Sequence, residues 1–358
     1  MLTTQQKVLR RYWYATIRID DLKAGPKPFT LLGEKLVLFL DENGEPACLQ
    51  DRCCHRTSKL SKGWVENGLI TCGYHGWTYD RYGTLVKIPQ FAPEQIVPRL
   101  GVRPYHCAER YGYAWVCLDE PLMPIPDVPE DRDPAYRRIQ QFYDLWKTSG
   151  FRFMENSFDN AHFAFVHKGT FGQMSQPKPE KYEITETDYG FEAETIITIA
   201  NPPLAYRITG TSEPTTKRHM RNKWFMPFSR RLDMEYPSGL RHIIFNCATP
   251  IDDGTIRLAQ ILYRNDTEEN CSTEELIAWD QVILEEDRDI LESTDPDTPI
   301  DMGRKVEAHM PSDRPGMIMR KRLFDLLKQH GEEEVTHAQK AYVIAAPSEM
   351  SFEMAKTP

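Results

Sequence analysis

The amino-acid sequence predicts an α+β protein with an all-β N-terminal domain and a larger domain built on an antiparallel sheet. Short apolar runs bounded by turn residues occupy the first third of the chain. Strand-like runs followed by one long helical run occupy the rest. A proline-rich connector over 120–134 separates the two patterns, and 358 residues are enough for two hydrophobic cores. We therefore expect domains over 1–125 and 126–333, and a C-terminal tail over 334–358.

The N-terminal domain begins with a clear hairpin signal. The runs KLVLFL (35–40) and ACLQD (47–51) flank an Asn43-Gly44 turn, a dipeptide typical of tight hairpins. The run GYAWVCL (112–118) is a further strand candidate. These elements predict a small sheet domain.

The second domain mixes helical and strand-like runs. The run FRFMENSFDNAHFAFVH predicts a helix over 151–167, and TEELIAWDQVILEEDRDILES predicts a long helix over 273–293. Between them lie four strand-like runs, over 183–187, 191–200, 240–251 and 255–264. The basic stretch KRHMRNKW (217–224) with Arg230-Arg231 reads as solvated surface, or else as a docking site for an acidic ferredoxin.

Composition excludes several classes of function. The formal net charge is -9, which argues against nucleic acid as the main partner, since phosphate binding needs a basic field. No run approaches the ~18 apolar residues of a membrane span, and the N-terminus has no secretory pattern. The eight cysteines are scattered, as in a reducing compartment. We expect a cytoplasmic location without a membrane span.

Two cysteine–histidine pairs are the first candidates for metal ligands. Cys53 and His55 form C-x-H, and Cys72 and His75 form C-x-x-H. Two thiolates with two imidazoles suit zinc, or a [2Fe–2S] cluster in which histidines bind one iron. Unrelated core residues are the third alternative. Cys54 lies between the first two ligands and is expected to point away.

The stretch CCHRTSKLSKG…CGYHGWTYD resembles the Rieske domain of bacterial and plant oxygenases. That resemblance implies that Cys53 and Cys72 bind one iron of the cluster and that His55 and His75 bind the other. The family usually has proline where this chain has Cys54. Three glycines are expected to let the ligand loops pack tightly, and an aromatic side chain is expected to cover the cluster: Gly63, Gly73, Gly76 and Trp77.

A second group of candidates lies in ENSFDNAHFAFVHKG, residues 155–169. Asp159 and His162 share a face of a helix, whereas His167 lies ~140° further round. Both histidines therefore reach one ion only if the helix ends or distorts near Val166. Taken alone, the spacing also fits two core histidines without a metal.

The long helix over 273–293 offers the missing carboxylate. Its apolar stripe contains Leu276, Ile283 and Ile290, and Asp287 falls within that stripe. A buried carboxylate usually has a cation or a metal as its partner. Asp280 lies near the same stripe and is the rival, unless it reaches solvent near the helix start.

The pattern N-x-x-D-x-x-H-x4-H resembles that of Rieske non-heme iron oxygenase α subunits, and EEDRDILES resembles their late helix. The resemblance implies a mononuclear Fe(II) held by His162, His167 and Asp287. It further implies that Asp159 links a ligand histidine to a Rieske histidine of the neighbouring subunit. Asn156 is expected to contact a ligand. The implied fold of this domain is a helix-grip (START-like) fold.

The resemblance also implies a function. The chain is similar to the α-only members, which form homotrimers, including saxitoxin-type alkaloid, chlorophyllide and pheophorbide oxygenases and dicamba monooxygenase. It implies that O2 is the co-substrate and that NAD(P)H supplies electrons through a separate reductase or ferredoxin. We favour monooxygenation of a C–H bond in a mid-sized organic substrate, with oxidative O- or N-demethylation as the alternative. A Rieske electron carrier fused to a ligand-binding module is the least favoured alternative.

Two smaller expectations concern the interior. Phe245 and Cys247 lie on a strand that is expected to line the substrate pocket. His242 has no partner motif and is treated as structural or exposed.

Overall fold

The computed structural model describes residues 1–92 and 100–340, so the end of the predicted tail, 341–358, lies outside the described residues. The N-terminal part is a β structure with one short helix. Its elements in chain order are β1 (Tyr14–Arg18), α1 (Ile19–Leu22), β2 (Lys27–Leu31), β3 (Glu34–Leu40), β4 (Pro46–Gln50), β5 (Trp64–Glu66), β6 (Leu69–Thr71), β7 (Thr78–Tyr79), β8 (Leu85–Lys87), β9 (Pro104–Arg110) and β10 (Tyr113–Cys117).

These strands form two antiparallel sheets. The larger has the order β1-β10-β9-β4-β3-β2, and the smaller has the order β5-β6-β7-β8. The predicted hairpin is confirmed: β3 pairs with β4 across the turn, and Gly44 has a φ of 78°, which a residue without a Cβ adopts at little cost. The smaller sheet carries the loops that hold the first candidate ligands.

The C-terminal part consists of one large sheet and its helices. Its elements are β11 (Arg137–Trp146), α2 (Gly150–Ser157), α3 (Phe163–Val166), β12 (Glu183–Thr187), β13 (Gly190–Ala200), α4 (Tyr206–Thr209), β14 (Thr215–Phe225), β15 (Ser229–Glu235), β16 (Arg241–Pro250), β17 (Ile256–Arg264), α5 (Thr273–Leu291) and α6 (Arg314–Gln329). The sheet order is β11-β17-β16-β15-β14-β13-β12, and every neighbouring pair is antiparallel. The predicted α+β class is confirmed. The domain boundaries near residue 125 and residue 333 stay predictions.

The long helix α5 is fixed at its start by a capping box. Ser272 accepts a hydrogen bond from the backbone of Glu275, and the Glu275 side chain accepts one from the backbone of Ser272. From there the helix packs Leu276 into a cluster with Ile139 of β11 and Leu262 of β17. This packing sets which side chains of α5 face the sheet.

The single helix predicted over 151–167 is wrong. Helix α2 ends at Ser157, and α3 begins only at Phe163. The intervening turn is stabilised by Asp159, whose side chain accepts a hydrogen bond from the backbone N–H of Ala161. Such a side-chain to backbone bond competes with helix continuation.

The basic stretch over 217–224 is a solvated surface only in part. It forms the middle of β14, and Arg230-Arg231 lies in β15. Alternate residues of β14 point inward, and among them Arg218 and Asn222 are buried. One face of this stretch therefore builds the interior of the domain. On the other face, Lys217 is exposed, and Arg221 and Lys223 pair with carboxylates.

The two parts of the chain share a hydrophobic core. Tyr111 and Trp115 of the N-terminal part pack against Phe245, with ring centroids 5.5 Å and 6.2 Å apart. Cys247 belongs to the same cluster. The expectation that Phe245 and Cys247 line the pocket is therefore wrong: their side of β16 faces the N-terminal domain, and His242 on the other side lines the cavity described below.

Candidate metal centres

Three side chains from distant parts of the sequence meet inside the C-terminal domain. The Nε2 atoms of His162 and His167 lie 3.2 Å apart, and each lies 3.4 Å from Oδ1 of Asp287. In the described parts of the chain, this is the one group of three or more His, Cys, Asp or Glu ligand atoms within 4.8 Å of one another. The three atoms form a nearly equilateral triangle.

That triangle fits a metal ion. Metal bonds of about 2.1 Å at right angles place neighbouring ligand atoms about 3 Å apart. Two imidazoles and one carboxylate on one face of an octahedron are typical of non-heme Fe(II) oxygenases, and they leave the opposite face open. The donor set and its spacing therefore suit iron.

Hydrogen bonds orient two of the three side chains. Asn156 donates from Nδ2 to Oδ1 of Asp287 at 3.0 Å. Nδ1 of His167 donates to Oε2 of Glu286 at 2.9 Å, and the same oxygen accepts a bond from Thr170. The bond to Glu286 fixes the tautomer in which Nε2 of His167 carries a free lone pair for a metal.

Asp159 lies beside the triad but forms no hydrogen bond to it, unlike Asn156 and Glu286. Its Oδ2 is 3.5 Å from Nδ1 of His162, too far and too poorly aligned for a hydrogen bond, and this buried Nδ1 has no partner among the described residues. The Asp159 side chain is 35% exposed, whereas that of His167 is 2% exposed. Asp159 thus stands between the buried triad and the surface.

Electrostatics within the triad are strong. Burial raises the pKa of Asp287, but the two imidazoles outweigh it and hold that pKa well below its ordinary value. Burial lowers the pKa of His162, and the carboxylates of Asp159 and Asp287 raise it, on balance to about 9. The carboxyl group of Asp287 therefore stays ionised, as a metal ligand requires.

The loops of the smaller N-terminal sheet bring the other four candidates together. Cys53 and Cys72 are buried, whereas His55 is exposed and His75 is half-buried. The two imidazole rings lie 4.5 Å apart, and Trp77 stacks on His55 with centroids 4.4 Å apart. Thiols inside and imidazoles outside match the arrangement of a [2Fe–2S] cluster with two histidine ligands on its outer iron.

The glycines of these loops have the predicted role. A Cβ on Gly63 would lie 1.8 Å from the carbonyl oxygen of Thr71, and one on Gly73 would lie 2.8 Å from that of Lys62. Gly76 has a φ of 74°. The two loops therefore approach backbone to backbone, which side chains would prevent.

The expectation that Cys54 points away from the ligand group is wrong. Its Sγ lies 3.3 Å from the hydroxyl of Tyr79, which is also 3.0 Å from Sγ of Cys53. Burial and the two thiols raise the pKa of Tyr79 far above its ordinary value, so the phenol keeps its proton. One hydroxyl is thus shared by a candidate ligand and its neighbour.

Comparison with protein families matches two domains of the chain. Residues 12–105 match the Rieske [2Fe-2S] domain, and residues 146–329 match the vanillate O-demethylase oxygenase C-terminal domain. The second match alone covers more than half of the chain. The chain belongs to the Rieske non-heme iron oxygenases. Its cofactors are therefore a Rieske cluster and a mononuclear iron, and it is an oxidoreductase.

Relatives of this Rieske oxygenase include full-length enzymes. Methylxanthine N1-demethylase NdmA of Pseudomonas putida is 29% identical over 344 residues, 93% of each chain. Methylxanthine N3-demethylase NdmB of the same organism is 28% identical over 82% of this chain and 83% of that protein. The structure of an NdmA mutant with theobromine has a TM-score of 0.78 at 27% identity, covering 95% of this chain and 100% of that one. Dicamba monooxygenase has a TM-score of 0.77 at 21% identity, covering 90% and 99%, which establishes the fold alone.

Membership of this family argues against one alternative that the sequence leaves open. A Rieske electron carrier fused to a ligand-binding module is not supported, because the chain belongs to a family of oxygenases. Through residues 1–92 and 100–340, no helix is long and apolar enough to cross a membrane. As in the rest of the family, small molecules are the substrates and separate proteins supply the electrons.

The triad of this oxygenase opens into a cavity of about 90 Å³. Its apolar wall consists of side chains from α3, the turn after it, α5 and the sheet: Phe163, Phe171, Met220, Met234, Ile283 and Leu284. A wider pocket of about 470 Å³ lies beside Trp13, Met123 and Phe225, away from the triad. The cavity at the triad is therefore the candidate substrate site.

The rival carboxylate, Asp280, lines the same cavity but has other partners. It is buried and accepts hydrogen bonds from Gln141 at 2.7 Å and from His242 at 3.1 Å. Burial is the main cause that lowers the pKa of His242, and its Nδ1 accepts a bond from Arg264. Asp280 therefore does not reach solvent, and His242 is a member of a buried polar network.

Glu286 is the residue at the triad that sequence reasoning missed. It is adjacent to Asp287 and so lies about 100° away from it on the helix. The signal that could have found it is its place one residue before a proposed ligand, where a carboxylate can reach an imidazole from the neighbouring helix. The sequence does not show which histidine that is.

Proposed function

We propose that His162, His167 and Asp287 hold the mononuclear iron, and that Cys53, Cys72, His55 and His75 hold the cluster. The triangle of ligand atoms 3.2–3.4 Å apart is the observation that carries the proposal. The buried thiols and outward imidazoles support the second assignment. Asn156 and Glu286 orient Asp287 and His167.

The reaction that this site supports best is monooxygenation of a C–H bond. When bound, the iron and the cluster supply O2 activation and electrons. The three ligands lie on one side and leave the cavity side free for O2 and substrate. The apolar wall holds the substrate and excludes water, which limits side reactions.

Oxidative demethylation is the second candidate, and one observation favours it. The two relatives matched over more than four fifths of this chain are both described as methylxanthine demethylases. One oxygen atom of O2 enters a C–H bond of an N- or O-methyl group, while two electrons from the separate reductase or ferredoxin and two protons reduce the other atom to water. The resulting hydroxymethyl group leaves as formaldehyde, and its hydroxyl proton passes to the nitrogen or oxygen that carried the methyl group. The same site thus performs either reaction, and the substrate decides the outcome.

The assembly and partners follow as further proposals. His55 is exposed at the cluster, and Asp159 is partly exposed at the triad. Both ends of an electron path therefore reach the surface, which supports a homotrimer in which Asp159 meets a Rieske histidine of the next subunit. A ferredoxin or a reductase using NAD(P)H delivers the electrons. The eight free cysteines support a reducing compartment such as the cytoplasm.

A single-turnover experiment tests the reaction. Iron-replete enzyme with a reduced cluster is mixed with 18O2 and a panel of alkaloids, aryl ethers, N-methyl compounds and aromatic acids. Labelled alcohol without formaldehyde supports hydroxylation, and formaldehyde supports demethylation. Absence of mononuclear iron from the purified enzyme after iron reconstitution would show that the triad assignment is wrong.

A further inference from the structure

Arg218 stands out in the cavity at the triad. It is 5% exposed and lines the cavity from β14. Its Nε has no hydrogen-bond partner, and within the described ranges its guanidinium forms no ion pair. A buried charge without a partner is expensive, so it indicates a partner that arrives from outside.

The other buried arginines show what is missing. In the described part of the chain, three more arginines are buried, and each pairs with a carboxylate: Arg231 with Glu130, Arg264 with Asp266, and Arg320 with Glu155 and Glu307. The fold therefore supplies counter-ions to its structural arginines. Arg218 is the exception among these four, and it faces the substrate cavity.

The surroundings of Arg218 hold it in place without neutralising it. Its guanidinium lies 4.8 Å from the ring centre of Phe171 and 5.7 Å from that of Tyr236. Aromatic faces attract a cation, yet they leave the N–H donors at its edge unsatisfied. Those donors form a planar fork that matches a carboxylate or a sulfonate.

The acidic groups of the cavity are engaged elsewhere. Asp287 belongs to the proposed iron site, and Asp280 accepts hydrogen bonds from Gln141 and His242. Arg230 also lines the cavity without an ion pair, but its Nε donates to Asn222. Burial lowers the pKa of Arg230 to about 10. Neither carboxylate lies within ion-pair distance of Arg218.

We propose that Arg218 binds an anionic group of the substrate, a carboxylate or a sulfonate. This inference rests on the proposed function of the cavity and names its substrate class. Phe171 contacts both Arg218 and the triad: its ring centre is 4.8 Å from the guanidinium of Arg218 and 4.6 Å from the ring centre of His167. Two ring contacts therefore separate the guanidinium from the triad. A molecule of about one aromatic ring, with its acid group on Arg218, places its far end at the triad.

Matched ligand pairs test the inference. Calorimetric titration of the iron-loaded holoenzyme compares benzoate with benzamide, and toluene-4-sulfonate with toluene-4-sulfonamide. Hydrogen bonds to a buried charge favour each anion by at least about tenfold in Kd. In Arg218→Met this preference falls to about onefold, and Arg218→Lys restores part of it. Arg221→Met is the matched control, because Arg221 lies on the opposite face of β14 and pairs with Glu235. It keeps the wild-type preference.

Stability of the ligand-free protein gives a second readout. Replacing an unpaired buried charge by a similar apolar side chain removes its desolvation cost, so Arg218→Met raises Tm. Amides that bind as tightly as the anions, or no saturable binding of either anion, would overturn the inference. An anion preference that is lost with no rise in Tm supports the inference, because the binding readout decides it.

The iron content of the same samples separates this inference from the proposed function. If iron binds at the triad but the anions are not preferred, the inference about Arg218 is wrong and the proposed function stands. If the anions are preferred but the protein cannot bind mononuclear iron, the proposed function is wrong and the inference stands.

Discussion

The two metal centres of this oxygenase are built in opposite ways. The proposed Rieske ligands come from two short loops, and those loops press backbone against backbone at Gly63. The triad comes from the turn after α2, the end of α3 and the distant helix α5. At the first centre the imidazoles reach the surface, whereas at the second His167 is 2% exposed.

This difference reflects what each centre has to do. Electrons must arrive at a surface, so the cluster needs exposed ligands on rigid loops. Oxygen chemistry needs a dry cavity, so the triad is buried and depends on hydrogen bonds from Asn156 and to Glu286. We therefore expect binding of the cluster to depend on the close backbone contact between the two loops. We expect binding of the iron to depend on the hydrogen-bond partners of its ligands.

The largest effect is expected for Asp287→Ala. Removing the one carboxylate of the triad leaves two imidazoles and abolishes mononuclear iron binding, with turnover lost to background. The Rieske absorption spectrum stays unchanged, because no cluster ligand is altered. Iron analysis together with the visible spectrum checks this, and loss of both centres together would break the comparison.

Gly63→Val is expected to have the complementary effect. A Cβ only 1.8 Å from the carbonyl oxygen of Thr71 forces the two ligand loops apart, so the cluster is lost. Gly254→Ala is the control, since its Cβ meets Pro296 at an ordinary 3.6 Å. Visible absorption and electron paramagnetic resonance measure the cluster. A wild-type spectrum in Gly63→Val would contradict the close approach of the loops.

A smaller effect is expected for Glu286→Gln. The amide is a poorer acceptor for the N–H of His167, so iron affinity falls by about 10–100-fold while the cluster is unaffected. Glu285→Gln is the matched control, because Glu285 is exposed and contacts Gln281. Competition with an iron chelator measures the affinity. Equal iron affinities in the two variants would show that Glu286 does not support iron binding through His167.

The smallest effect is expected for Cys54→Ala. The hydroxyl of Tyr79 then donates to Cys53 alone, which stabilises the reduced cluster. The reduction potential is expected to rise by roughly tens of millivolts, since hydrogen bonds to the sulfurs tune it. Redox titration measures this shift. In a Tyr79→Phe background the Cys54→Ala change loses its effect, and a persisting shift would contradict the shared hydroxyl.

Sequence reasoning proposed the Rieske loops and the triad through a family resemblance, which is visible in the sequence because the motifs that carry it are local or lie on one helix stripe. It placed Phe245 and Cys247 in the pocket, although their side chains lie on the opposite face of β16 from His242, which lines the cavity. A strand with apolar residues on both faces carries no alternation from which to choose a face. Here one face of β16 packs on the N-terminal domain, and composition alone does not reveal that second interface.

The prediction for the basic stretch over 217–224 fails in part for a related reason. The prediction that its charges are solvated holds for Lys217 and in part for Arg221 and Lys223, but Arg218 is buried in β14. A buried arginine is identified by its three-dimensional partners, or by the lack of them, and neither is visible in one dimension. The break between α2 and α3 likewise depends on the turn that Asp159 stabilises.

The shared core has a consequence for protein engineering. Tyr111 and Trp115 are covered by Phe245, so a fragment that ends near residue 125 would expose an aromatic patch to water. A Rieske module cut from this chain for use as a stand-alone electron carrier would tend to self-associate. Chimeras that exchange whole catalytic domains would need to carry the matching face of β16 with them.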